Sequence, residues 1–173
     1  MKKVIASLLA MVSLFFSGCM NSLMYMDEAQ VISRQLDSVL EFLQAGDKES
    51  FISLFSLTAI NSAGFSENVN ALFDYFEGDN ASYYDDQCAM SGKEREDSQV
   101  KEEIWNSYDV TTSEETYRIM IYLITRDDAC PENIGIYSLY IIRMEDDTNP
   151  EYAYWGDGKD APGIHIGIPS PED

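Results

Sequence analysis

A chain of 173 residues is long enough for one ordinary domain, and 45% hydrophobic with 24% charged residues is a globular composition, which excludes a disordered or collagen-like chain. Against 11 Lys and Arg stand 31 Asp and Glu, a formal net charge of −20. Such a field repels phosphate backbones, and nucleic-acid binding draws its affinity from basic patches that release counterions, so no DNA or RNA partner is expected.

The first eighteen residues read as a segment removed before folding. Lys2 and Lys3 form a positive start, Val4 to Phe16 is an uncharged and mostly apolar run, and Ser17 and Gly18 are the small residues a signal peptidase accepts. The run is shorter than the roughly 20 residues a membrane-spanning helix needs. Cys19 follows at once, and Phe16-Ser17-Gly18-Cys19 resembles the lipobox of bacterial lipoproteins, with Phe16 where Leu is commoner. The resemblance implies that the Cys19 thiol receives a diacylglycerol, with acyl chains such as palmitate, and becomes the new N-terminus. Residues 1–18 are then the signal peptide and 19–26 a lipidated tether of at most about 25 Å. The expected location is the cell membrane, lipid-anchored and facing outside the cytoplasm.

From Asp27 the pattern is helical. Ile32, Leu36, Val39, Leu40 and Leu43 repeat on a 3.6-residue period, Gly46 suits a C-terminal cap, and Asp47 can cap the next helix. That helix carries Phe51, Ile52, Leu54 and Phe55 and continues after a break into Leu57 to Asn61. Gly64 interrupts the run, and Ser66 caps a third helix through Val69, Leu72, Phe73 and Phe76. After Gly78 the pattern changes to strand. Segments 81–89, 102–111, 116–125 and 134–145 are rich in Tyr, Ile, Val and Thr and read as a four-stranded antiparallel meander. Ser91 to Gln99, with Lys93-Glu94-Arg95-Glu96-Asp97, reads as a solvated loop. The Pro-rich tail from Asn149 is expected to lie extended along the domain, pinned by Tyr154 and Trp155. One α+β domain over 27–165, with a C-terminal tail over 166–173, follows from this order.

The order of segments, with Asn133-Ile134-Gly135-Ile136-Tyr137-Ser138-Leu139, Tyr154-Trp155-Gly156 and Pro162-Gly163-Ile164, resembles a family of uncharacterised Gram-positive lipoproteins. The resemblance covers about Asp27 to Ile164. It implies N-terminal helices packed on a curved four-stranded sheet, the cystatin-like or nuclear-transport-factor-2-like cone. That family has no assigned activity, so no catalytic residue is implied.

The chemistry legible in the residues is sparse. His165 is the one histidine, and no HExxH or paired CxxC arrangement is present, so no metal or other cofactor is expected. With Cys19 acylated, Cys88 and Cys130 remain. An exported compartment permits a disulfide between them, and two free thiols are the alternative. Tyr108, Tyr122 and Tyr140 are read as lining one face of the sheet at the cone's mouth, a possible pocket, with Asp109 of opposite parity facing solvent or an arginine. Folds of this type include isomerases and dehydratases that set an acid and Tyr donors in an apolar pocket. The reading is a membrane-anchored, extracytoplasmic binding or interaction domain without catalysis, its ligand an unknown protein, peptide or small molecule. An isomerase-like or dehydratase-like enzyme using the cone is the alternative, and a cystatin-like inhibitor or immunity-type module a third.

Overall fold

A computed structural model describes residues 27–84, 89–146 and 161–167. The chain is α+β: helices α1 (Glu28–Ala45), α2 (Lys48–Ile52), α3 (Leu57–Ile60) and α4 (Phe65–Tyr75) precede strands β1 (Ser82–Tyr84), β2 (Met90–Glu96), β3 (Gln99–Thr111), β4 (Thr116–Asp127), β5 (Gly135–Arg143) and β6 (Gly163–Ile166). The expected signal peptide, Cys19, the tether, Cys88, Tyr154 and Trp155 lie outside the described residues.

The helices form close to where the local pattern places them, except that α2 ends at Ile52, so Leu54 and Phe55, expected on it, lie beyond it with Phe55 bridged to Ile136, and α4 ends at Tyr75, one residue before Phe76. The five apolar residues of the α1 stripe are all buried, and Asp27 caps its start by accepting from the Ala29 amide at 3.4 Å. Fully burying each such side chain contributes about 1.5–3 kcal/mol. Gly46 closes α1 in the left-handed region at φ 69°, where a Cβ would be strained. Asp47 caps α2 through the Ser50 amide, and Ser56 caps α3 through the Ala59 amide. The third expected cap is corrected: α4 starts at Phe65, one residue before Ser66, and its cap position is Gly64 at φ 77°.

The sheet is open, mostly antiparallel and six-stranded, in the order β1-β3-β4-β5-β6 with β2 also pairing β3. Three of the four expected strands hold closely as β3, β4 and β5, paired as an antiparallel meander. The expectation of four strands is corrected at both edges. Ser91 to Glu96, read as part of a solvated loop, lies in strand β2, which pairs with the first half of β3 from Met90↔Trp105 to Glu96↔Gln99. Its charges suit an edge strand, which needs no apolar face. Asp97 and Ser98 both have positive φ, as a two-residue hairpin turn whose twist matches its strands requires. At the other edge, the tail supplies β6, parallel to β5 with Leu139 beside the buried Ile164. Pro162 stands just before this strand, where a missing amide donor is tolerated.

One face of the sheet packs on the helices. Ile104, Tyr108, Val110, Tyr117, Ile119, Ile121 and Leu139 join Ile32, Leu36, Phe51, Val69 and Leu72 in one apolar core. The C-terminus of α4 is clasped by the sheet. Tyr117 Oη donates to the Tyr75 carbonyl at 3.1 Å and accepts from the Glu77 amide at 2.7 Å, while the Arg143 guanidinium lies 4.7 Å from the centre of the Tyr75 ring. A cation there also opposes the negative end of the helix dipole. Burial pushes both phenols above their ordinary range.

The turn between β4 and β5 hangs on Asp127, a buried carboxylate that accepts from the Asn133 side chain at 2.9 Å and the amides of Cys130 and Ala129 at 2.8 and 3.2 Å. The Asn133 hydrogen bond, outweighing burial together with the two amides, holds this acid below the usual carboxylate range. Its contribution to stability is therefore complete above about pH 5 and is lost as pH falls below about 4 through the folded value. Asp127→Ala should cost about 2 kcal/mol at pH 7. Urea unfolding at pH 7 and pH 3 checks this, and a gap between wild type and variant that widens at pH 3 would contradict it.

Candidate functional site

The face of the sheet turned away from the helices carries the polar and aromatic side chains that the core does not use. The register alone decides its membership. The β3–β4 hairpin sets Tyr108 opposite Ile119 and Trp105 opposite Tyr122, and β4–β5 sets Met120 opposite Tyr140. Opposed residues share a face, so Tyr122 and Tyr140 lie on the outer face and Tyr108 lies on the helix side, fully buried in the core. The structure thus brings together two of the three tyrosines expected to line one face and separates the third. The turn between Thr111 and Thr116 held the signal: counting back from that pair places Tyr108 against Ile119, not beside Tyr122.

Around Tyr122 stands a cluster the strand parities had not singled out. Its hydroxyl donates a hydrogen bond to Glu103, and the Lys101 ammonium lies 2.7 Å from Glu103 Oε2 and 3.3 Å from Tyr122 Oη. Burial lowers the pKa of Lys101, but the hydrogen bond and charge of Glu103, with Glu94 and Asp127 nearby, outweigh it and hold the ammonium above its ordinary value. Trp105 and Tyr137 flank the ring of Tyr122, with centroids 6.2 and 5.8 Å away. A bulge between Tyr122 and Leu123 in the β4–β5 pairing lets Tyr137 reach this ring. Gly92 makes room for the carboxylate: a Cβ there would lie 2.7 Å from Glu103 Oε1. That contact is the reason for a glycine in a strand of otherwise long side chains.

Along the same face Asp109 meets Arg118 in a two-pronged ion pair of 2.9 and 3.2 Å, as expected of an acid facing an arginine. At the β6 side the His165 ring stacks on Tyr140 with centroids 4.3 Å apart, and its Nε2 lies 3.0 Å from the Ala161 carbonyl. Ser138 donates to the same carbonyl. Met120, Ile124 and Ile142 are buried here as well, apart from the helix-side core.

Other candidate features fall elsewhere. Cys130 is half-buried at the start of the Pro131–Asn133 turn, and Cys88, its expected partner, lies outside the described residues. An open groove of about 360 Å³ at the β3–β4 turn is lined by Thr112, Glu114, Glu115, Met144 and Glu145 among others, and holds none of the tyrosines. Among the described residues no three His, Cys, Asp or Glu side chains are placed to hold a metal ion.

No curated protein matches the chain. Residues 38–144, from the second half of α1 through β5 and including Lys101, Glu103, Trp105, Tyr122 and Tyr140, match DUF5104, a domain of unknown function, and the chain belongs to that family.

Proposed function

We propose that the protein is a lipid-anchored, extracytoplasmic lipoprotein whose domain binds a protein, peptide or small molecule without transforming it. The observation that carries the binding half is the state of the acids on the outer face. Asp109 is engaged by Arg118 and Glu103 by Lys101, each within 2.9 Å of a cation. A general base of the isomerase type works instead from an apolar setting that leaves its carboxylate free to take a proton. The half-buried rings of Trp105 and Tyr137, edged by these ion pairs, offer the kind of aromatic surface that recognition uses, while Tyr122 and Tyr140 are themselves buried. We infer likewise, from the order of helices and strands and from the segments at 133–139 and 162–164, that the domain is a cystatin-like or nuclear-transport-factor-2-like cone of a Gram-positive lipoprotein.

The anchoring half rests on Lys2, Lys3, the apolar run to Phe16 and Cys19. No helix among the described residues is long and apolar enough to cross a membrane. Expressed in a bacterial host, the wild-type chain should sediment with membranes, while Cys19→Ser should move most of it into the soluble or secreted fraction with its fold unchanged. Mass spectrometry should find acylated Cys19 at the N-terminus; an unmodified N-terminus at any other residue would remove the lipid anchor from the proposal.

One observation favours the enzymatic alternative. Tyr122 donates to Glu103, a donor and an acid side by side among aromatic rings. Deuterium exchange into a ketone probe in heavy water, abolished by Glu103→Gln, would decide for that reading.

A further inference from the structure

The β2 end of the sheet carries charges in a regular order across three strands. On one face Lys93, Glu102 and Arg126 stand side by side on β2, β3 and β4; on the other stand Glu94, Lys101 and Asp127. Sign therefore alternates from strand to strand on both faces, and Lys93 is ion-paired with Glu102. Such cross-strand pairs favour one neighbour over another. The series stops at β2. Among the described residues no strand lies along its outer edge, and its side chains other than Gly92 are exposed.

We propose that the outer edge of β2 is a docking site for an extended segment of a partner protein whose charges continue this order: Lys-Glu-Lys-Glu read antiparallel to β2, opposite Glu96, Arg95, Glu94 and Lys93. Backbone hydrogen bonds to the open edge supply the attachment, and the alternating signs select the sequence. Inside the chain β3 already answers β2 in this way, with Lys101 opposite Glu94 and Glu102 opposite Lys93. A second copy of the chain does not fit. Two β2 edges paired antiparallel about a twofold axis keep their faces, so opposed residues have the same parity. Lys93 and Arg95 would then meet lysine and arginine, and Glu94 and Glu96 would meet glutamates, which is repulsive. This edge lies one strand beyond Lys101, Glu103 and Trp105, and pairing along it does not require the lipid anchor.

The test uses the full chain, isotope-labelled for backbone NMR, and four blocked synthetic peptides: Thr-Lys-Glu-Lys-Glu-Thr, the permuted Thr-Lys-Lys-Glu-Glu-Thr, the first peptide methylated at its backbone nitrogens, and Thr-Glu-Lys-Lys-Glu-Thr. The first should shift the amides of Ser91 to Glu96, the permuted one should bind roughly 3–10-fold more weakly, and the methylated one should not bind. Arg95→Glu with Glu96→Lys leaves the Lys93–Glu102 and Glu94–Lys101 pairs untouched, and should move the preference to a Glu-Lys-Lys-Glu order. No shift with the first peptide, equal binding of the first three peptides, shifts confined to other strands, an unchanged preference in the double variant, or a wild-type dimer joined through β2 would each overturn the proposal.

Discussion

Gly135→Ala should destabilise the protein by about 3–5 kcal/mol, although it adds a single methyl group to a strand end. Gly135 has φ 122°, a region L-residues rarely adopt, and a Cβ there would lie 2.8 Å from the Ser56 amide nitrogen and 3.1 Å from the Phe55 carbonyl carbon. These are backbone atoms and cannot swing aside. They are also tied to β5, since the Ser56 amide donates to the Ile136 carbonyl and the Ile136 amide to the Leu54 carbonyl, both at 3.0 Å. Room for the methyl group must come from breaking that bridge, and the buried Ser56 that caps α3 moves with it. Because β5 also carries Tyr137, Ser138 and Tyr140, the outer face should lose its order too. Thermal and urea unfolding followed by circular dichroism measure the loss; a variant within about 0.5 kcal/mol of wild type would show that the close approach is not a constraint.

Phe51→Ala should cost a similar 3–5 kcal/mol for a different reason, the cavity left in a close-packed core. Phe51 is fully buried, with its ring 5.2 Å from that of Phe55 and 5.3 Å from that of Phe73 in an edge-on contact. Its removal strips both rings of a neighbour and loosens α2 and α4 together. Phe51→Leu keeps most of the volume and should cost about half as much. If alanine and leucine shift the urea midpoint equally, volume is not what Phe51 supplies. Against a total stability of roughly 5–15 kcal/mol, either alanine change takes a large share.

The features legible in the sequence were those whose causes lie within a few residues. The apolar stripe of α1, the cap at Asp47 and the three long strands follow from local capping chemistry and from periodicities of 3.6 and 2, which need no knowledge of a partner. Strand β2 escaped because its reason for being a strand lies in β3. A run of Lys, Glu and Arg has no apolar face to betray it, and the Asp97-Ser98 turn lacks the glycine that usually announces a tight hairpin. Strand β6 escaped because its four residues sit beyond a proline and pair with a strand more than twenty positions earlier.

The candidate site divides in the same way. Parity on its own strand set Asp109 on the face opposite Tyr108, toward solvent or an arginine, and Arg118 stands opposite it, although on the face that Tyr122 and Tyr140 share. The composition of the outer face did not follow, because alternation orders residues within a strand but says nothing of which parity on the next strand shares that face. The pairing of Thr111 with Thr116 sends Tyr108 into the helix-side core and Tyr122 to the opposite face, where it is also buried, and a bulge between Tyr122 and Leu123 brings Tyr137 beside it. The sequence alone determines the helices, the long strands and the acidic charge, since these are local or additive. Only the tertiary structure decides that Lys101, Glu103 and Tyr122 meet, because cross-strand register sets which distant side chains come within a hydrogen bond of one another.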